Sequence, residues 1–190
     1  MQQTSTVADA DRAATQAPVN VLIVDDRPAN LLALEAILEP LGETLIRANS
    51  GEEALTHLLS TDFAVILLDV AMPTMDGFET ARHIKQRQRS ATTPIMFLTA
   101  NNADPRSILQ GYELGAADYL LKPLTPEVVR SKVGVFCALY RSREQSRLAA
   151  AEVARAQTAE TQAKENERQL TDVLERISDA DAQHRSTLDA

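Results

Sequence analysis

The residues best suited to chemistry stand where short apolar runs stop. Asp25 and Asp26 follow VNVLIV, and Asp69 follows FAVILL. Thr99 follows PIMFL, and Lys122 closes DYLLK. If these runs are parallel strands of one sheet, the side chains at their carboxyl ends meet along a single edge. Two carboxylates about 4 Å apart repel by roughly 4 kcal/mol at an effective dielectric near 20. Three acids in one place therefore need a counter-charge. A hard divalent cation held through oxygen supplies it, and Mg²⁺ asks for only one or two carboxylates plus waters and a phosphate. Lys122 adds a further positive charge. Phosphoryl transfer needs mainly positioning and charge neutralisation, which such a cluster provides. A carboxylate can itself be the nucleophile and become an aspartyl phosphate. Asp69 is the best candidate, because FAVILL is the most apolar of the runs and should carry its acid deepest.

Taken singly, each residue has an ordinary alternative. Asp25 and Asp26 could be a solvated loop pair, and Asp69 a turn acid. Thr99 could be a strand-end hydroxyl bonded to backbone. Tyr119 could be plain core packing. It is their joint occurrence at strand ends that favours a site.

The elements that would position them follow from the pattern between residues 18 and 140. The apolar runs are VNVLIVDD (19–26), TLIRA (44–48), FAVILLDV (63–70), PIMFLTA (94–100) and DYLLK (118–122). Four of these are β-branched or Leu-rich with little alternation, as expected of strands buried on both faces. TLIRA is short and mixed and reads as an edge strand. Helical segments lie between them. Pro28 suits a first helical turn, and Ser50 with Glu53 makes a capping box. Asp104–Pro105 and Thr125–Pro126 each set an N-cap residue before a Pro. Gly42 and Gly115 stand where helices should stop. Strands alternating with helices imply an α/β fold: a doubly wound, five-stranded parallel sheet of flavodoxin-like order 2-1-3-4-5. In that order the strands carrying Asp25, Asp69, Thr99 and Lys122 are neighbours.

Composition narrows the function. A net charge of -8 disfavours nucleic acid and anionic membrane as partners. The absence of Trp and an aromatic content of 4% disfavour base-stacking platforms. Cys137 is the single cysteine, so no intrachain disulfide forms, and it reads as a small buried hydrophobe in a helix. Residues 1–17 are small, polar and without periodicity, and read as a disordered tail rather than a leader or anchor. The expected location is the cytoplasm. His57 and His83 fall in helices with no second ligand at metal spacing and read as surface or boundary residues.

The set VDD, LLDVAMPTMDG, FLTA and DYLLKP, in this order and spacing, resembles the receiver domain of two-component response regulators over residues 18–140. The resemblance implies that Asp69 is the phosphoacceptor. It implies that Asp26 binds Mg²⁺ directly, with Asp25 nearby or acting through water and the backbone carbonyl of Ala71 completing the protein's share. Thr99 and Lys122 would hold phosphoryl oxygens, and Lys122–Pro123 would be a cis peptide. Tyr119 matches the aromatic that turns inward on phosphorylation, and Ala71 and Asn101 match the positions that tune phosphate lifetime. The implied donor is a phosphohistidine on a histidine kinase or histidine phosphotransfer protein. The domain would carry out its own Mg²⁺-dependent phosphorylation and dephosphorylation and be no enzyme otherwise.

Residues 141–190 hold no Gly, Pro or aromatic residue and read as a helical coiled-coil extension continuous with the helix that starts at Pro126. A helix of about 60 residues would reach roughly 90 Å, too long for one small domain to bury. One heptad register puts Val128, Val135, Leu139, Ala149, Val153, Ala156, Ala163, Leu170, Leu174, Ile177 and Leu188 on the seam. It also puts Lys132, Ser142, Ser146, Glu160, Glu167, Asp181 and His184 there, so the middle of the seam is poor. A parallel homodimer is the favoured expectation. The alternative is a solvated helix that pairs only in a longer protein, such as a hybrid kinase or a PAS or cyclase signalling protein whose output domain is absent here. No helix-turn-helix, nucleotide-binding loop or GGDEF-like run is present in the sequence.

Overall fold

The computed structural model describes residues 17–100, 111 and 113–188. The expected tail, Asn101 and the Asp104–Pro105 helix start lie outside the described residues. Strands β1 (Asn20–Val24), β2 (Thr44–Ala48), β3 (Val65–Asp69), β4 (Ile95–Ala100) and β5 (Asp118–Lys122) form one five-stranded sheet of order β2-β1-β3-β4-β5. Every pairing is parallel. Helices α1 (Pro28–Leu38), α2 (Gly51–Ser60) and α3 (Gly77–Gln86) link the first four strands, and α4 (Pro126–Leu188) follows β5.

Alternation along the strands divides the core into two layers. Leu22, Val24, Ile66, Leu68, Ile95 and Phe97 face α2 and α3, where Leu55, Leu58, Phe78 and Ile84 meet them. Val21, Ile23, Val65, Leu67, Met96 and Leu98 face the other way, onto Leu31, Leu34 and Leu38 of α1. Val129, Val133 and Cys137 of α4 join that second layer. Their spacing of four residues is one stripe of a helix. Cys137 is fully buried, and burial pushes its thiol pKa up to about 12.

The expected strands and order are those found, with one correction. DYLLK is not buried on both faces: β5 is the second edge of the sheet and only Leu120 in it is buried. An edge strand has no neighbour to cover its outer flank, so Leu121 is left half exposed.

Caps set the helix starts. Ser50 Oγ accepts from the Glu53 N–H at 3.2 Å. The Glu53 carboxylate reaches back past Ser50 to the Asn49 N–H at 2.7 Å, one residue beyond the usual reciprocal bond. Asp76 caps α3 by accepting from the Glu79 N–H at 2.7 Å. Gly42 and Gly115 both have positive φ and stop the chain where the sequence suggested.

Two units meet between Arg141 and Ser142. In the first, Arg141 clasps the Glu43 carboxylate at 2.7 and 2.6 Å, and the Val19 N–H donates to the same carboxylate at 2.9 Å. Val128, Val135 and Leu139 of α4 remain exposed. In the second, Leu148, Val153, Leu170 and Val173 are exposed. The side chains of Leu174, Ile177, Asp181, His184 and Leu188 lie outside the described set.

Gly77, the first residue of α3, lies hard against the end of the strand that bears Asp69. A Cβ there would sit 2.3 Å from the Asp69 carbonyl oxygen and 2.9 Å from Val70 Cα. Backbone cannot yield as a flexible side chain can. Gly77→Ala is therefore expected to destabilise the fold by about 1–3 kcal/mol, read as a lower Tm in thermal denaturation.

Candidate functional site

Strand register brings the chemical residues together. Val24 pairs with Leu68, so the next residues, Asp25 and Asp69, stand side by side. Asp69 pairs with Leu98, and Thr99 follows it. Ala100 pairs with Lys122. The pleat then sorts them by face. Asp69 and Lys122 share the alternation of the layer packed on α1, while Thr99 and Tyr119 share that of Phe97 in the opposite layer. The Tyr119 ring lies against Phe97, with centroids 5.4 Å apart. Its hydroxyl fills the place a Cβ on Gly111 would take, 1.5 Å away.

Lys122 is the hub. Its Nζ lies 3.0 Å from Asp25 Oδ2 and 2.7 Å from Asp69 Oδ1. Oxygens of Asp25, Asp26 and Asp69 all fall within 4.8 Å of one another. Asp25 is wholly buried, and Asp69 is 5% exposed. Burial raises the Asp69 pKa most, the Lys122 ammonium pulls it back, and the charges of Asp25 and Asp26 push it up again; the net direction is upward. Burial alone would lower the Lys122 pKa, but the hydrogen bonds it donates to Asp69 and Asp25, with their charges, outweigh it and leave it raised. Lys122–Pro123 is a cis peptide.

The two aspartates of the DD pair differ sharply. The Arg27 N–H at 3.0 Å and the Asn30 amide at 2.8 Å both donate to Asp25 Oδ1. Its Oδ2 accepts from the same amide at 3.0 Å and from Lys122 at 3.0 Å. Three donors thus engage both oxygens of Asp25. Among the described residues no donor is seen on the Asp26 carboxylate, which lines an open cavity of ≈ 430 Å³ with Asp69, Ala71, Thr99 and Lys122. The donor set is all oxygen, with no His or Cys, which fits a hard cation.

Asp25, Asp26, Asp69, Ala71, Thr99 and Lys122, each named from the sequence, thus border one site, and Tyr119 lies on the face beneath Thr99. Asn30 was not foreseen. A signal was present: it is an amide in PANLLALEAIL, where the other polar residue, Glu35, pairs outward with Arg47. Nor was the Asp76 cap foreseen, although Asp-x-x-Glu before an apolar stretch is a helix-start pattern. His57 is half-buried and His83 exposed, both away from the acids.

The response regulator receiver domain model matches residues 21–134. This chain belongs to that family. The receiver is 38% identical over 113 residues to the alkaline phosphatase synthesis transcriptional regulatory protein PhoP of Bacillus subtilis, a match that covers 60% of this chain and 46% of PhoP. The chemotaxis response regulator CheY4 of Vibrio cholerae has a similar structure: TM-score 0.59, 31% identity, 63% of this chain and 99% of that one. So has the receiver domain of a signal transduction histidine kinase from Syntrophus aciditrophicus, with TM-score 0.58, 34% identity, 63% of this chain and 90% of that one. The chain spans less than half the length of curated relatives such as PhoP, of which the match covers 46%. The receiver fold and its place in phosphorylation-based signalling follow from family membership.

The loop after Asp69 carries local strain. Thr74 has φ of 68°, left-handed backbone that a β-branched residue rarely adopts. Its side chain is exposed. Thr74→Gly is expected to stabilise the receiver by about 0.5–1 kcal/mol, the relief of strain less the entropy glycine loses on folding. Chemical denaturation reads this as a higher midpoint at unchanged slope.

Proposed function

We propose that this receiver takes a phosphoryl group on Asp69 from a phosphohistidine and passes the change to a partner through its C-terminal helix. The observation that carries the reading is Lys122 bridging two buried aspartates beside an open cavity that Asp26 and Asp69 line. In the transfer, an Asp69 carboxylate oxygen attacks phosphorus and the P–N bond to the donor imidazole breaks. The electron pair returns to that nitrogen, which takes a proton from solvent. Lys122, 2.7 Å from Asp69, is placed to meet the charge that builds on the phosphoryl oxygens. Thr99 lines the same cavity and can donate its hydroxyl to another of those oxygens.

Asp26, Asp69 and the Ala71 carbonyl would hold Mg²⁺, with Asp25 close by. The bound ion neutralises phosphoryl charge and aligns donor and acceptor. The chain's own chemistry then extends to self-phosphorylation and self-dephosphorylation and no further. The donor partner is a histidine kinase or histidine phosphotransfer protein. Thr99 and Tyr119 share a face of the sheet, and Tyr119 packs on Phe97, two residues before Thr99, which supports their acting as one switch. Drawing Thr99 toward the phosphoryl group alters the space open to the Tyr119 ring.

Residues 18–140 act as the receiver and 141–190 as a coiled-coil output, in a homodimer. The exposed Val128, Val135 and Leu139 support such a seam, since solvated apolar stripes at heptad spacing seek a second helix. Among the described residues no helix is long and apolar enough to cross a membrane, and the proposed location is the cytoplasm. A second reading, a receiver cut from a larger hybrid kinase, is favoured by the similarity to the Syntrophus aciditrophicus kinase receiver.

Two measurements test this. A small-molecule phosphodonor with Mg²⁺ should add one phosphoryl group to wild type, by intact mass, and none to Asp69→Asn; equal labelling of the two sinks the assignment. Light scattering should give a dimer whose mass or dissociation constant shifts with beryllofluoride. A monomer in both conditions removes the coil from the account.

A further inference from the structure

We propose that Asn30 is a positioning residue of the phosphorylation site: its amide holds Asp25 as the anchor of Lys122 and keeps it from binding the cation directly. The inference rests on the reading of the site given above and deepens it.

The geometry is specific. Asn30 Nδ2 faces both oxygens of Asp25, at 2.8 and 3.0 Å. The sense of the amide is fixed by chemistry, because a carboxylate only accepts and would repel the amide oxygen. With the Arg27 N–H and Lys122, the amide brings three donors onto Asp25, its own shared between both carboxylate oxygens. Both oxygens of buried Asp25 are thus engaged, which leaves it poorly placed to meet a metal directly. Asp26 has none of these donors and lines the cavity. One amide thus splits two adjacent acids into two jobs.

Lys122 depends on that split. Its ammonium is shared between Asp25 at 3.0 Å and Asp69 at 2.7 Å. Remove the amide, and buried Asp25 loses the one donor that serves both of its oxygens. Its charge is then less well neutralised. The ammonium is drawn off Asp69 toward Asp25, and a cation entering the site is drawn toward Asp25 as well. Both moves spoil the arrangement for transfer while they strengthen the hold on the ion.

A capping role alone makes a different forecast. Asn30 stands in the first turn of α1, where Asp25 also accepts from the Arg27 N–H. If the amide merely steadied that turn, its loss would loosen the whole site. Ion affinity and transfer rate would then fall together.

The experiment measures two quantities on the full chain. Mg²⁺ affinity is read by titration calorimetry without any phosphodonor. The phosphorylation rate is read by intact mass with a small phosphodonor at saturating Mg²⁺. For Asn30→Ala, the Mg²⁺ Kd should fall by about three- to tenfold, as an added anionic ligand tightens a site. The saturated rate should fall by about tenfold, the usual scale for losing a partner that orients a site residue. Asn30→Ser keeps one hydroxyl donor and should fall between Asn30→Ala and wild type on both measures, and it carries the test if Asn30→Ala does not fold. Parallel losses of affinity and rate, or no change in either, overturn the role of Asn30. A wild type that binds no Mg²⁺ and takes no phosphoryl group overturns both this inference and the site it refines.

Discussion

One ammonium between two buried carboxylates governs this receiver. Lys122 stands on an edge strand, yet it reaches Asp25 at the end of β1 and Asp69 at the end of β3. Without it, three acids would crowd one sheet edge with like charge in a partly desolvated place. Removing one partner of such a group leaves the other buried and uncompensated, which typically costs about 3–5 kcal/mol. The site is therefore close to balance: Lys122 compensates only part of the negative charge of the three acids, and the proposed cation and phosphoryl group would complete it. Burial is the main cause of the raised pKa of Asp69, and the charges of Asp25 and Asp26 add to it.

The sheet makes this arrangement inexpensive. Parallel strands in the order β2-β1-β3-β4-β5 end at the same edge, so no long loop is needed to gather the acids. The pleat then sends the ionic chain to one face and the Thr99–Tyr119 pair to the other. Strand β4 carries Thr99 and packs Phe97 on Tyr119, so in the proposed function it is the route by which a phosphoryl group on the first face would act on the second. The α4 stripe of Val129, Val133 and Cys137 lies on the ionic side, under the same sheet.

Much of this was legible in the sequence, for identifiable reasons. Apolar runs of fixed length ending in Asp25, Asp69, Thr99 and Lys122 are long-range signals, because a parallel sheet forces their ends together. Gly42 and Gly115 were legible because their backbone needs positive φ. What was missed depends on contacts that no spacing rule encodes. Asn30 is five residues from Asp25, and only the turn into α1 aims its amide back at both carboxylate oxygens. The difference between Asp25 and Asp26 was likewise invisible as geometry, since two neighbouring aspartates look alike until their donors are counted. The openness of β5 was missed because the apolar run DYLLK does not show how well its faces are covered, even though the order 2-1-3-4-5 already sets it at an edge. The strain at Thr74 is a backbone property, and threonine gives no warning of it.

The central claim is that Asp26, Asp69 and Lys122 serve one ion and one phosphoryl group. Its most direct test is a crystal structure with Mn²⁺ and beryllofluoride, the ion located by its anomalous signal. The account predicts Mn²⁺ bound by the Asp26 and Asp69 carboxylates and the Ala71 carbonyl, with Lys122 Nζ and Thr99 Oγ on the fluoride group. Mn²⁺ bound elsewhere, or a fluoride group on Asp69 with Lys122 turned away from it, would contradict the account.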